Sequence, residues 1–495
     1  MEKNELMSKL DKMFFPQSVA VVGASDVPGK WGSRILTAIL GWSYQGRVYP
    51  VNPNRKSLYN VACYPDLGSI PGEVDLAVFT IPAKMIPAAF RECIAKGITA
   101  AVVISAGFKE TGEEGEVLEK EIIEIAREGG IVFMGPNTMG VVSAHHSFEA
   151  VPLPTAPKPG GLSIISQSGN LGIQMMKWTG HKEIGLSIYA GVGNEAMLKA
   201  GDLLRYVGTR DEVRAVAMYI EGIPDGREFM EIACEVTRKK PVIALKGGNS
   251  ATGSKAAQSH TGSMAGSVAA YRAMFAQSGI TQVDTPSELL NVSAAMTHLA
   301  IPQGNRVGVM SFGGGWGVIA ADQCEKAGLA MPQLTPEIIR VIDAYLPAFW
   351  NRRNPVDVVG EDDPEMCLQV IGALARWDET DMVMALGIVG RSSFLEDFIE
   401  CQERLEGKIF KRELKLSILK DQIRSEDRIL SGIGRIQKET GKPILVVALT
   451  DGGLTMRYTD YGPVITLSNP EEAVAIFAHM ARYGRYLEAI RGQRS

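Results

Sequence analysis

Short apolar runs alternate with longer helix-prone stretches along most of the chain. One series of runs lies at 18–22, 47–51, 76–80, 101–105 and 131–134, a second at 162–166, 184–189, 215–220 and 242–245, and a third at 307–311, 382–389 and 444–449. Runs this short, apolar throughout rather than alternating, are the pattern of strands buried on both faces. The chain is therefore expected to be α/β, with parallel sheets covered by helices on both sides. Pro-rich residues 152–159 interrupt the first series, and Pro302-Gln303-Gly304-Asn305-Arg306 interrupts the second. These breaks predict three domains, 1–145, 159–300 and 304–495, which agrees with 495 residues at roughly 150 per domain. Residues 392–439 depart from the pattern. They are highly charged, with Leu395, Phe398, Leu405, Ile409, Leu416, Leu419 and Ile423 at roughly helical spacing. They predict a helical insertion in the third domain, either a solvated helix pair that caps the domain or an interface for another chain.

In each series the first run ends in a glycine-rich turn. The first turn is Gly23-Ala24-Ser25 with Pro28-Gly29-Lys30-Trp31-Gly32, the second Gln167-Ser168-Gly169-Asn170-Leu171-Gly172, and the third Phe312-Gly313-Gly314-Gly315-Trp316-Gly317. Glycine permits a tight turn and lets backbone approach an anion, and the unpaired N–H groups of a helix N-terminus favour negative charge. Three such turns at three domain starts point to phosphate handling. The first does not have the Gly-x-Gly-x-x-Gly spacing, and the second apolar run leads into Asn52-Pro53-Asn54-Arg55-Lys56, with no acid to hold a ribose diol. NAD is disfavoured; a nucleotide with a ribose phosphate, as in NADP or coenzyme A, fits better.

Composition narrows the class. A net charge of −5 speaks against nucleic acid as a partner, and no apolar run reaches the roughly 18 residues of a membrane span. The six cysteines are scattered, without metal-ligand spacing, so no metal site is expected from them and a reduced cytoplasm fits. The polar N-terminus does not read as a signal peptide.

His260 is the most informative single residue. It lies in Gln258-Ser259-His260-Thr261-Gly262-Ser263, a small-residue stretch between the run at 242–245 and a helix predicted from Val268. With little bulk around it, the imidazole is open to a phosphoryl group. A plain solvated histidine in a flexible loop is the competing reading.

Together, Ser18 to Ser25 with Pro28-Gly29-Lys30, Tyr49 to Pro53, Ile104 to Lys109, Gly135-Pro136-Asn137-Thr138, Ile165 to Gly169 and Ser259 to Ser263 resemble the alpha part of ADP-forming acyl-CoA synthetases, relatives of the succinyl-CoA synthetase alpha subunit. The resemblance runs from about Phe15 to Gly360, with Asn354-Pro355-Val356-Asp357 its last clear motif. It implies a Rossmann-like CoA-binding domain followed by two flavodoxin-like ligase domains. It implies that acyl-CoA and phosphate give acyl phosphate and CoA, that the acyl phosphate phosphorylates His260, and that the phosphohistidine passes its phosphoryl group to ADP. Glu221 matches the glutamate that orients the histidine; a surface carboxylate at a strand end is the alternative. Ser168, Gly169 and Asn170, with Gly314 and Gly315, would aim two helix N-termini at the phosphoryl group. Gly23, Ala24, Ser25 and Lys30 would line the coenzyme A pyrophosphate and Arg55 would meet its nucleotide end. Pro82 and Ile104 would flank adenine or pantetheine, and Asn137 and Thr138 would lie near the thiol, although Pro82 and Ile104 equally suit strand-end packing.

No ATP-grasp segment is recognisable, so the resemblance implies an ATP-grasp beta subunit that holds ADP or ATP and Mg²⁺, in a heterotetramer, with a small carboxylic acid as substrate. The sequence departs from the family at Phe312, Trp316, Asn170 and Leu346-Pro347-Ala348-Phe349-Trp350, where smaller residues are usual, and at Thr138, where acetate enzymes often have Cys. These changes either reshape the acid pocket or swap packing. A CoA-binding regulatory protein without catalysis and an NADP-dependent oxidoreductase are the competing functions. The joint presence of His260 and Glu221 favours catalysis.

Overall fold

The computed structural model describes residues 3–153, 155–249, 252–253, 267–360, 363–404, 412–450 and 452–492. The chain divides into two compact units, Met1–Ser293 and Ala294–Ser495.

The first unit contains two sheets. Val and Ala, with Leu, Met, Phe and Tyr, make up most of strands Ser18–Val22, Arg47–Val51, Leu76–Phe79, Ala100–Val103 and Val132–Met134, which pair in parallel. Numbered along the chain, their order across the sheet is second, first, third, fourth, fifth. Apolar side chains on its two faces enter two separate clusters, one with Val19 and Val21, the other with Ala20 and Val22. That is why these strands are apolar throughout.

The second sheet repeats this order with Pro159–Ser166, Leu186–Gly191, Ala215–Ile220, Val242–Lys246 and Thr281–Val283. It adds an antiparallel hairpin, Val141–Ser143 and Phe148–Ala150, paired onto Leu186–Gly191. The hairpin precedes the Pro-rich connection, and its three-residue strands are too short to stand out in the apolar pattern.

In such a sheet the chain reverses direction between the first and third strands, and the crevice beyond their carboxyl ends is where ligands bind. In the first sheet Gly23 and Thr80 follow those ends. In the second sheet Gln167 and Glu221 do.

The second unit is built the same way. Strands Val307–Ser311, Val356–Asp357, Met382–Leu386, Ile444–Val447 and Gly462–Leu467 run parallel, with Thr455–Thr459 antiparallel at one edge. The charged stretch folds as helices Arg391–Arg404 and Arg412–Thr440. Ile429, Leu430, Ile433 and Ile436 of the second helix are buried in this unit's core, whereas Leu416, Ile418 and Ile423 are exposed. Half of that helix therefore caps the domain. Trp350 is also buried there, and its indole N–H donates to Asp343 at 2.7 Å. At this position the bulky replacement is packing, while neighbouring Phe349 is 76% exposed.

Candidate active site

A cleft of about 750 Å³ opens in the first unit where the carboxyl ends of its two sheets meet. Pro82, Ile104, Asn137, Thr138, Ser168, Gly169, Asn170 and Glu221 all line it, so eight residues from distant parts of the sequence share one space. Gly23, Ala24, Ser25, Lys30 and Arg55 are not among the lining residues. The first four belong to the turn beside it, whose neighbours Trp31 and Thr80 do line the cleft, and Arg55 reaches that turn from the segment after Arg47–Val51 by pairing with Asp26.

That first turn is constrained by glycine in two ways. Gly23 has φ +90°, a left-handed conformation that few other residues accept, and a Cβ at Gly32 would lie 1.9 Å from the carbonyl oxygen of Gly23. The helix Trp31–Gly41 can therefore approach the strand end only with glycine at 32. Ala24 is fully buried, and the Ser25 hydroxyl accepts from the backbone N–H of Val27 at 3.1 Å. Lys30 is exposed at the helix N-cap. Arg55 pairs with Asp26 at 3.2 Å and holds that carboxyl below its ordinary range, with both side chains 45% exposed. A contact this open to water exchanges readily for an incoming anion.

The second turn starts the helix Gly169–His181, capped by Ser168. A Cβ at Gly169 would come 2.6 Å from Met139 Cγ, so the turn has no room for a side chain there. The Ser166 hydroxyl donates to the carbonyl of Ser168 at 2.7 Å, and in the second unit Ser311 donates in the same way to Gly313 at 2.7 Å. Two turns of like sequence are thus braced by one device. Gly314 and Gly315 open the helix Gly314–Lys326, with both glycines exposed. Phe312, at the third turn, lies under the Arg391 guanidinium at 4.6 Å.

The cleft also refines two assignments. Thr138 is almost fully buried, and its hydroxyl donates to Gly191 O and accepts from Gly140 N at 3.0 Å. Both hydrogen-bonding roles are occupied by backbone, so Thr138 shapes the wall. Asn137, at φ +58°, donates its Nδ2 to Asn194 Oδ1 at 3.3 Å.

Glu221 stands at the carboxyl end of Ala215–Ile220, beside the root of the loop that leaves Val242–Lys246. Gly247 N donates to Ile220 O at 2.8 Å, and a Cβ at Gly247 would meet Glu221 Cγ at 3.6 Å. His260 lies outside the described residues. The described segments on either side, Val242–Lys246 and Val268–Ser278, belong to the same sheet and its covering helices. Around Glu221 stand groups that sequence reading did not select. Burial, and then Glu221, push the Tyr219 hydroxyl up to about 12. Burial lowers Lys246, with Glu221 opposing, and its ammonium lies 4.7 Å over the Tyr271 ring. Gln167, Asn194 and Glu195 complete the floor of the cleft. Asn194 Nδ2 donates to Glu110 Oε2 at 2.5 Å and Glu119 Oε2 at 2.9 Å, tying the second sheet to the helical layer of the first. Only the Gly193-Asn194-Glu195 sequence following an apolar strand hinted at this role.

No group of three or more His, Cys, Asp or Glu among the described residues is arranged to hold a metal ion. No described helix is long and apolar enough to cross a membrane.

Comparison with known proteins gives these features a family. Residues 17–144 match the profile of a CoA binding domain, and residues 159–296 that of a succinyl-CoA ligase like flavodoxin domain. The chain is similar to the alpha subunit of acetate–CoA ligase (ADP-forming) II of Pyrococcus furiosus, 42% identical over 381 residues, covering 77% of this chain and 82% of that one. This chain belongs to the family of ADP-forming acyl-CoA ligase alpha subunits. It is also similar to acetate–CoA ligase (ADP-forming) I of Archaeoglobus fulgidus, 38% identical over 81% of this chain, and spans 57% of that longer protein. Among solved structures, the dinucleotide forming acetyl-coenzyme A synthetase 1 of Ca. Korarchaeum cryptofilum, solved with phosphate and ADP, aligns with a TM-score of 0.84 at 30% identity. That alignment covers 98% of this chain and 99% of that one, so the likeness extends beyond the two matched domains.

Proposed function

We propose that this chain is the alpha subunit of an acid–CoA ligase that interconverts acyl-CoA, ADP and phosphate with a carboxylic acid, CoA and ATP, and that His260 carries the phosphoryl group. The observation that carries this reading is the position of Glu221, at the switch point of a family ligase domain, on the cleft, and against Gly247, from which the sequence runs on to His260.

Three balanced steps follow. A phosphate oxygen attacks the thioester carbonyl; the C–S bond breaks, and the CoA thiolate leaves and takes a proton. The His260 imidazole then attacks phosphorus, breaking the acyl P–O bond and releasing the carboxylate. Finally an oxygen of ADP takes the phosphoryl group and the imidazole is restored. Covalent catalysis divides one exchange between two sites that need not overlap. The Glu221 carboxylate accepts a hydrogen bond from the ring N–H and so presents the other nitrogen as nucleophile. The N-terminus of Gly169–His181 offers backbone N–H groups to the phosphoryl oxygens, and Ser168 and Asn170 flank them. Gly314 and Gly315 open a second helix suited to the same purpose.

In the first sheet, Gly23, Ala24, Ser25 and Lys30 meet the CoA pyrophosphate and Arg55 exchanges Asp26 for a phosphate of the nucleotide end. Pro82 and Ile104 flank pantetheine, which leads towards Asn137. Nucleotide and Mg²⁺ belong to an ATP-grasp beta subunit, with which the chain forms a cytoplasmic heterotetramer. A small carboxylic acid such as acetate is the substrate.

The test is reconstitution with an ATP-grasp subunit, ATP, Mg²⁺, CoA and acetate. Acetyl-CoA and ADP in equal amounts are expected, and neither from the chain alone. A chain that binds CoA but yields no product with its partner across a panel of small acids would support a regulatory CoA-binding role instead.

A further inference from the structure

Gln167 occupies the switch point of the second sheet, and every hydrogen-bonding position of its carboxamide is used. Its Oε1 accepts from the backbone N–H of Glu221 and from that of Gly222 at 3.0 Å, while its Nε2 donates to Gly222 O at 2.7 Å and to Glu195 Oε2 at 2.8 Å. Rotating the amide by half a turn would set Nε2 against two N–H groups, so the acceptor Glu195 on the far side fixes the productive orientation. The other Glu195 oxygen accepts at 2.6 Å from Ala200 N, the first residue of the helix Ala200–Thr209. Glu195 itself sits at φ +55°, a conformation that a non-glycine residue holds only when its surroundings require it. A helix terminus is thus linked through two side chains to the backbone that bears Glu221.

We propose that Glu195 is a positioning residue for phosphoryl transfer, acting through Gln167 to hold the backbone of Glu221 and Gly222, and with it the Glu221 carboxylate, in the place that the proposed function gives it. The inference rests on the function proposed above.

Burial pushes the Glu195 carboxyl up to about 7, against the Ala200 and Gln167 hydrogen bonds and the charges of Lys109 and Lys199. Tyr271 faces it from the helix Val268–Ser278, and Glu110 and Glu119 reach its neighbour Asn194. As a carboxylate, Glu195 accepts on both oxygens. Protonation puts a hydrogen on one of them and loses one of the two bonds. The linkage is therefore complete above pH 7 and weakens below it. Stability runs the other way. An acid whose pKa is raised by folding contributes stability fully below its unfolded value near 4.5, and that contribution is lost as pH rises through 7. Activity that rises while stability falls is not the behaviour of a group that merely holds the fold.

The experiment measures phosphoenzyme formation from ATP with the partner subunit between pH 5.5 and 8.5, alongside CoA binding by calorimetry, for the wild type, Glu195→Gln, Gln167→Ala and the double variant. A Gln at 195 faces one N–H with its own amide at every pH, as the protonated acid does. It is expected to slow phosphorylation roughly tenfold above pH 7, the effect of one well-placed hydrogen bond, and to lose the acid limb of the wild type. Gln167→Ala disconnects Glu195 without removing it and should show the same slow, limb-free profile. The double variant should be no slower than either single one, and CoA affinity should be unchanged throughout. A wild-type rate and limb in Gln167→Ala, or losses that multiply in the double variant, would overturn the inference, and the Gln167→Ala result decides even if Glu195→Gln fails to fold. A wild type that forms no phosphoenzyme at all would instead overturn the wider functional reading.

Discussion

Glu221→Gln should slow phosphoenzyme formation by a factor on the order of 10² or more, comparable to losing the carboxylate that orients a catalytic histidine. That corresponds to about 2.7 kcal/mol of transition-state stabilisation. The effect follows from charge rather than shape. Gln has the size of Glu and can still meet the Tyr219 hydroxyl, but it places no negative charge beside an imidazole that becomes cationic on phosphorylation. Thermal stability and CoA affinity should stay close to wild type, because Glu221 is only half-buried and the first-sheet turn lies elsewhere. Rapid-quench labelling and differential scanning calorimetry separate the two. A variant that labels at the wild-type rate would return Glu221 to the surface carboxylate it could have been from sequence alone.

The second large effect is expected at Gly32. Adding a Cβ 1.9 Å from the Gly23 carbonyl cannot be relieved by rotating a side chain, because the obstacle is backbone. Gly23 is itself tied, its N–H donating to Val51 O at 3.0 Å. Gly32→Ala must therefore push the helix Trp31–Gly41 off the strand end, costing about 3 kcal/mol or more, as overpacking of a tight contact does. Its CoA affinity should fall at least tenfold, since the turn that meets the pyrophosphate is the part displaced. Two glycines nearby calibrate the result. Gly29 has φ +88° but nothing within 4 Å of an added Cβ, so Gly29→Ala should show only the left-handed penalty of about 1–2 kcal/mol. Gly41 has neither restriction, and Gly41→Ala should be neutral or slightly stabilising. Chemical denaturation and CoA titration of the three variants check the ranking. Equal stabilities would mean that the first turn is not packed against its helix as described.

The contrast among these glycines shows how far the sequence could be read. All three glycine-rich turns and most of the buried parallel strands were visible, because a strand covered on both faces is mostly apolar, but the parallel strands Thr281–Val283, Val356–Asp357 and Gly462–Leu467 were not among the runs read. Glu221, at the end of the buried strand Ala215–Ile220, was singled out only through the family resemblance, since a strand-end carboxylate alone reads equally as surface. The hairpin at 141–150 and the edge strand Thr455–Thr459 were not visible, since short or half-exposed strands carry no such run. Asn194 and Glu195 were missed, and Gln167 was read only as part of the second turn, for another reason. Their significance lies in hydrogen bonds that span 28 to 84 residues along the chain, such as Gln167 to Glu195 and Asn194 to Glu110, and no local spacing records these. Thr138 shows the converse. Its position near the cleft was foreseen, but its hydroxyl is taken by Gly191 and Gly140, a fact that belongs to packing. Trp350 likewise reads in sequence as either a change to the acid pocket or a packing swap, and in the fold it is a core residue with a satisfied indole.

The most direct measurement is transfer of label from the γ-phosphate of ATP to this chain in the presence of Mg²⁺ and its ATP-grasp partner, followed by mapping of the labelled residue. Acid-labile, base-stable label on His260 is expected, removed when ADP is added and absent from His260→Asn. No label on the native chain with an active partner, or undiminished label on His260→Asn, would contradict the account.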